Sequence, residues 1–384
     1  MRSLRWLLVL GALVLSGCGI FGGDDDELPP APLVVVDDPV KTRKVLSVNL
    51  GGGSERLRLA LAPSGDGTRV FAASADGKVH AFDNETHRRQ WQANLKRELT
   101  AGPGVGDGRL VVADRNGSVI ALDARTGEQL WQRDIAAEVL APPVLGADRV
   151  FLRTVDGRLL ALDANSGSTL WFVEQPVPVL SQRGLGKPAI VGSLVVAGFD
   201  NGRVVAVNIL SGDIEWEVPL GIPSGRTDID RMVDTDGVFA TSGTDLYVSG
   251  FSSRTASMAI ESGQAMWARE YSTSTGVSLD WANLYMCNAD NRVMAISRRN
   301  GALEWTSDDF VRRSLSAPAV WGDLLAFGDF EGYVHLLNAR TGDHAGRLRV
   351  DGAAVVVPPY VMGDTLYVQS ESGALAGFEL RESR

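Results

Sequence analysis

One phrase of sequence recurs along this chain, and the recurrence limits what it can fold into more than any other feature. NGSVIALDARTGEQLW ends at Trp131, and DGRLLALDANSGSTLW ends forty residues later at Trp171. Further copies are DGKVHAFDNETHRRQW, ending at Trp91, and NGRVVAVNILSGDIEW, ending at Trp216. RTASMAIESGQAMW ends at Trp267 and DNRVMAISRRNGALEW at Trp305. Two more, EGYVHLLNARTGDHAG from Glu331 and SGALAGFELRESR from Ser372, lack the Trp and bring the total to eight. Periods of about 40–50 residues belong to solenoids and propellers, whose units bury their apolar faces only by stacking on neighbours.

Each copy sits inside a larger unit. Around the second, AGPGVGDG reads as a short Pro-led strand and a turn, and RLVVAD as the next strand. Asn-Gly then supplies the positive φ values of a tight hairpin. SVIALDA is a third strand, RTGE turns again, and QLWQRDI is the fourth. The Pro-led strand recurs as APPVL (141–145), KPAI (187–190), APAV (317–320) and VPPY (357–360). No stretch after Cys18 sustains a helical period. The expected fold is all-β: an eight-bladed β-propeller of four-stranded antiparallel blades. The eighth copy runs out at Arg384 one strand short, while TRKVLSVNL (42–50) alternates like a strand ahead of the first blade. This N-terminal strand is expected to complete the last blade and close the ring, removing an open edge.

In the pattern A-h-D-x-x-S/T-G-x-x-x-W the Ala is small, so that something flat can lie on it, and the Trp supplies an indole. Burying ~150–250 Å² per indole at ~25 cal/mol/Å² gives an upper bound of roughly 4–6 kcal/mol each. Trp91, Trp131, Trp171, Trp216, Trp267 and Trp305 are therefore expected to clamp neighbouring blades together. On this reading the repeat is architectural.

The formal charge of −10, with no Lys/Arg-rich run, argues against a nucleic-acid partner. Arg2 and Arg5 precede WLLVLGALVL (6–15), an apolar run too short to span a bilayer, and LSGC closes it at Cys18. That tetrapeptide resembles the lipobox of bacterial lipoproteins. The resemblance implies removal of a signal peptide (residues 1–17) and a lipid on Cys18. The sequence GIFGGDDDELPPAP then starts a flexible acidic, Pro-rich tether (18–40), and the propeller occupies 41–384. No Asp follows Cys18, which in enteric-type lipoproteins favours the outer membrane over the inner. Cys287 would be left alone in the apolar run NLYMCNAD, as a small buried hydrophobe.

The repeat resembles the tryptophan-docking motif of eight-bladed PQQ quinoprotein dehydrogenases. Those enzymes are longer and carry an adjacent Cys-Cys pair over the cofactor, which Cys18 and Cys287 cannot supply. Lipobox, acidic tether and eight repeats ending near the C-terminus together resemble the BamB family. These are propeller lipoproteins of the outer-membrane β-barrel assembly machinery, and the resemblance covers essentially the whole chain.

The tryptophan steps are 40, 40, 45, 51 and 38 residues, so extra chain enters on either side of Trp216. The insertions are EQPVPVLSQRGLGKP (174–188) and PLGIPSGRTDIDRMVDTDG (219–237). Both link the outer strand of one blade to the inner strand of the next, so they share one rim, and loops longer than a repeat requires are where function concentrates. The resemblance implies that these loops contact BamA, the central barrel protein of the machinery, through its periplasmic POTRA domains. Its patterns match Leu180, Ser181, Gln182, Arg183 and Gly184, and then Ile229, Asp230, Arg231, Met232, Asp234 and Asp236. Gln182 departs from the family pattern, which is commonly apolar there. Physically, Arg183 offers a rigid hydrogen-bonding fork and Leu180 an apolar anchor. The plain alternative is a solvated Arg beside a Leu that packs its own loop. Asp234 and Asp236 could form a turn or hold Arg183 or Arg231 across the rim. Calcium is not expected, because the first-ligand position of an EF-hand pattern here is Met232.

Enzyme chemistry finds little support. The four histidines show no metal-ligand spacing, and His80 and His335 occupy equivalent strand positions. The one G-x-G-x-x-G, GCGIFG (17–22), straddles the lipobox. The expectation is a non-catalytic scaffold without cofactor or metal, anchored in the outer membrane and facing the periplasm, itself monomeric. Unfolded outer-membrane proteins pairing with blade edges are a weaker partner expectation. The rivals are a quinoprotein oxidoreductase relative and a free periplasmic propeller that binds peptide or glycan.

Overall fold

The computed structural model describes residues 28–54, 57, 59–139, 141–180, 186–222, 226–227, 232–235 and 237–381. Every regular element among them is a strand, and the strands form eight four-stranded antiparallel sheets within the unit Ala31–Arg384. Blade 2 is Leu99–Gly106, Arg109–Asp114, Ser118–Asp123 and Gln129–Asp134, matching the segments delimited from sequence. Naming the strands of each blade a to d in chain order, the a strands of neighbouring blades touch and d lies outermost. Strands b and c of blade 2 are almost wholly buried because neighbouring blades cover both faces, so they read as apolar runs rather than alternations. Strand d, QLWQRD, exposes all but its Trp.

The c–d turn shows the local logic. Asp123 Oδ1 accepts the backbone N–H groups of Arg125 and Thr126, both at 2.8 Å, and Gly127 takes φ +76°. The Pro-led strands are shorter than expected: the a strands of blades 3, 4, 7 and 8 begin at Val144, Ala189, Ala319 and Tyr360, after the prolines. Proline has no N–H to give the ladder, so pairing starts beyond it.

The tryptophans join the blades. Trp131 Nε1 donates to the Ala164 carbonyl of blade 3 at 2.8 Å, and its ring lies where a Cβ on Gly167 would fall, 2.6 Å from Cε3. The same arrangement recurs at five other junctions: Trp91 with Ala124 and Gly127, Trp171 with Ile209 and Gly212, and Trp216 with Ile260 and Gly263. Trp267 with Arg298 and Gly301, and Trp305 with Ala339 and Gly342, complete the set. The repeat's Ala is the cross-strand partner of its own Trp, as in Ala121 opposite Trp131, and leaves room beside the indole. The seat of the indole is the Gly of the next repeat, so that Gly serves both the turn and the docking.

Closure departs from this rule in a consistent way. Thr42–Asn49 pairs antiparallel with Ala374–Leu380 and supplies strand d of blade 8. Leu46 stands opposite Gly377, where a docking Trp would be. Blade 1 correspondingly has His87 in place of the seat glycine, at φ +55°. Its Nε2 lies 3.0 Å from Glu379 and its Nδ1 3.3 Å from the Tyr367 hydroxyl, so a polar contact joins blade 8 to blade 1. At the junction of blades 7 and 8, Gly346 replaces the Trp; Val40 packs over it, and Val40 N–H donates to the Ala345 carbonyl. There Trp321, on strand a of blade 7, donates instead to the Asp364 carbonyl at 2.8 Å.

Candidate functional site

In an antiparallel blade all d-to-a connections emerge on one face, beside the b–c turns. The two long insertions share that face: 175–188 joins blade 3 to blade 4, and 220–239 joins blade 4 to blade 5. Both converge on one b–c turn, Phe199–Gly202 of blade 4. Asn201 Nδ2 donates to Gln175 Oε1 at 3.0 Å, tying down the root of the first insertion. From the second insertion, Thr235 Oγ1 donates toward the carbonyls of Phe199 and Arg203, at 3.0 and 2.8 Å, and receives the Phe199 N–H at 3.1 Å.

The second insertion does more than cross the rim. Its backbone runs so close to blades 4 and 5 that a Cβ on Gly198 would lie 1.8 Å from the Thr235 carbonyl oxygen, and one on Gly250 2.0 Å from that of Asp234. Neither glycine has a positive φ, so close approach alone demands it. Asp234 forms an isolated antiparallel bridge with Phe251. Blade 3 contributes Arg153, which is buried, pairs with Asp200 of the same turn, and places its guanidinium 5.4 Å from the Phe199 ring centroid. Desolvated Arg-carboxylate pairs specify geometry more than they add stability.

Among the described residues of this frame, several exposed side chains are aliphatic. Val179 is 90% exposed and Ile222 77%, with Val177 and Leu180 also exposed. Aliphatic side chains so far out of the core, on two insertions of one face, suit contact with a partner.

Of the residues singled out from sequence, Cys18, Ser181, Gln182, Arg183, Gly184, Ile229, Asp230, Arg231 and Asp236 lie outside the described residues. Leu180 is exposed on the first insertion. Asp234 is fully buried, so any contribution it makes is to the shape of the insertion from within. Trp131, Trp216 and Trp267 are buried and Trp91, Trp171 and Trp305 partly so, all on the blade junctions. Sequence reasoning missed Arg153, Asp200, Asn201 and Thr235. The first three occupy ordinary repeat positions, and nothing local marks them as supports. Cys287 is buried, and burial pushes its thiol pKa far up, which suits a packing role.

Comparison with known proteins places this geometry. Residues 75–307 match the family model described as outer membrane protein assembly factor BamB. The chain is 48% identical over 370 residues to the outer membrane protein assembly factor BamB of Pseudomonas aeruginosa, covering 96% of this chain and 97% of that one. It superposes on the crystal structure of BamB from Moraxella catarrhalis with TM-score 0.80 at 30% identity, over 88% of this chain and all of that one. The quinohemoprotein alcohol dehydrogenase of Comamonas testosteroni superposes with TM-score 0.70 at 13% identity, over 89% of this chain and 77% of that one, a likeness of fold alone. The full-length match to the first two, on top of a shared ring architecture, decides the affiliation: this chain belongs to the family of the outer membrane protein assembly factor BamB.

Proposed function

We propose that the chain is a lipid-anchored scaffold of the outer-membrane β-barrel assembly machinery, docking through its two long insertions on the POTRA domains of a BamA-like barrel protein. It is not an enzyme: its relatives are named as assembly factors, and the dehydrogenases share only its fold. The observation that carries the docking site is the apolar surface of Val179, Leu180 and Ile222, set on insertions that a single turn of blade 4 holds in place. Leu180 adjoins the Ser181–Gly184 stretch, so Arg183 would add a charged anchor beside an apolar one, the pairing typical of interface hot spots. Lipid on Cys18 would hold the ring at the periplasmic side of the outer membrane, and its mechanism would be positional.

The test is co-purification from detergent-solubilised outer membranes, comparing tagged wild type with Leu180→Asp and Arg183→Glu. An interface anchor removed costs about 2 kcal/mol or more, roughly a thirtyfold loss of affinity, whereas a solvated loop side chain changes little. Loss of the barrel protein from both folded variants supports the reading. Equal recovery with all three proteins places the contact elsewhere on the ring. A second reading has one observation behind it: the d strands of blades 1 to 6, such as Arg89–Asn94, have no further strand paired beyond them among the described residues and could pair with strands of unfolded outer-membrane proteins. Crosslinks from exposed d-strand positions to a nascent barrel would show it, and their absence would remove it.

A further inference from the structure

All eight blades contribute to a cavity of about 450 Å³ on the axis of the ring. Its wall is largely apolar or neutral, with Leu315, Val356, Val357 and several prolines prominent. The eightfold repeat offers an internal control on any residue that breaks the pattern. Strand pairing aligns Ser64, Gly104, Val144, Ala189, Ala240 and their counterparts as equivalent, each opposite the b-strand residue seven positions on. Two residues earlier, the chain meets the cavity with Ala62, Pro142, Val238, Ala317 and Pro358 in five blades, and the position is glycine in two more. In blade 4 the same position is Lys187.

Lys187 lines the cavity and is exposed to the solvent within it, and the protein around it lowers its pKa by desolvation. No carboxylate among the described residues pairs with it or offsets this effect. A cation here, where the seven equivalent positions are small or apolar, gives the cavity a single charged group able to meet an anion.

We propose that the axial cavity is a binding site for a small organic carboxylate with an apolar body, with Lys187 as the anion-binding group. The volume lies in the range of small-molecule pockets, and the composition, one cation in a mostly apolar wall, matches a ligand with one charge on a hydrophobic frame. Lys187 lies at the root of the 174–188 insertion, so an occupant would touch the chain that carries part of the proposed docking surface. The site nonetheless stands independently of the docking reading, because its test needs no partner protein.

The experiment titrates detergent-purified full-length protein by calorimetry with cinnamate and with cinnamyl alcohol, which share an apolar frame and differ in charge. Wild type should bind cinnamate saturably and at least tenfold more tightly than the alcohol, as one charge-assisted hydrogen bond implies. Lys187→Met should abolish the preference, and Lys187→Arg should retain most of it. Both variants are expected to fold, since apolar residues fill the equivalent positions in other blades. A second lysine at Ala317→Lys should raise cinnamate affinity in the Lys187→Met background. Absence of saturable cinnamate binding, or an equal preference in Lys187→Met, overturns the proposal.

Discussion

The six regular junctions and the closing seam solve one problem by different means. At each regular junction an indole crosses to the next blade, donates to a carbonyl three residues before a glycine, and rests on that glycine. At the seam neither half of this device exists. Leu46 and Gly346 stand where tryptophans would, His87 stands where a glycine would, and the contacts become polar or are covered by residues 31–40. Each docking Trp is thus matched by a glycine in the following blade, and the loss of one goes with the loss of the other. A seat glycine is needed only where a ring must lie flat on it; elsewhere the turn tolerates a larger residue at positive φ.

Blade 7 shows how the polar side of the seam is built. Arg313, nearly inaccessible, donates to Asp329 at 2.7 and 2.8 Å, pairs with Glu331, and also donates to the Ala31 carbonyl at 2.9 Å. His335 Nε2 lies 2.9 Å from the same Asp329 oxygen. Burial alone would raise the Asp329 pKa, but hydrogen bonds from His335 and Arg313 outweigh it and hold the carboxyl below its usual range. The N-terminal segment is therefore fixed along blade 7 before it becomes the closing strand, with Arg347 donating to the Val34 carbonyl at 2.7 Å.

The contrast can be broken at several points. The largest effect is expected for Trp131→Ala, about 3–5 kcal/mol by equilibrium denaturation, because the packing is lost and the Ala164 carbonyl is left without its donor. Leu46→Ala at the seam should cost less, about 2–3 kcal/mol; a larger loss there would make the closing strand, and not the indoles, the dominant constraint. Next comes Gly167→Ala. Its Cβ would strike the Trp131 ring at a positive φ, and about 2–4 kcal/mol is expected. Gly67→Ala, also at positive φ but with open space around it, should cost only about 1 kcal/mol. Similar losses at both glycines would show that the turn, not the docking, sets the requirement.

A smaller effect concerns pH. His80 and His335 sit at equivalent c-strand positions in the two blades flanking blade 8, and burial pushes both pKa values below 6.5. His80 Nε2 donates to the Leu50 carbonyl at 2.8 Å, a bond that by itself favours the protonated ring, and desolvation outweighs it. Since the folded pKa lies below the unfolded one, this stabilisation is fully present above pH 6.5 and is lost as pH falls from there toward the folded values. The slope cannot exceed about 1.4 kcal/mol per pH unit for each histidine. Unfolding measured between neutral and mildly acid pH should show that slope, and His80→Gln with His335→Gln should flatten it. The smallest effect is Arg43→Ala, which removes an exposed pair with Glu379 and should change stability by under about 1 kcal/mol. A larger change would mean that the Arg43, Glu379 and His87 cluster acts as a unit in closure.

Much of this was legible in the sequence because the repeat encodes local events. Alternation, Asn-Gly and Thr-Gly turns and a Trp four residues past the glycine each act within about fifteen residues of chain, so strand order, blade number and the docking indoles follow from them. The N-terminal closing strand was legible as the one strand the repeat lacked. The anomalous spacing also located the two insertions, since an excess of chain between fixed tryptophans must leave the ring. Their internal shape was not legible: Asp234 reads as a surface carboxylate beside a turn, whereas its backbone lies against Gly250 and its side chain is buried.

The sequence by itself determined the ring, its eight blades and the place where surplus chain escapes, because a periodic pattern constrains every unit in the same way. Tertiary structure alone decided which residues support the site. Asn201 reaches Gln175, Thr235 reaches Phe199, His87 reaches Glu379, and Lys187 faces the axis; these meetings join residues far apart in the chain, or turn on which way one side chain faces. Periodicity places a residue on a strand or a turn, and only closure of the ring brings those places together.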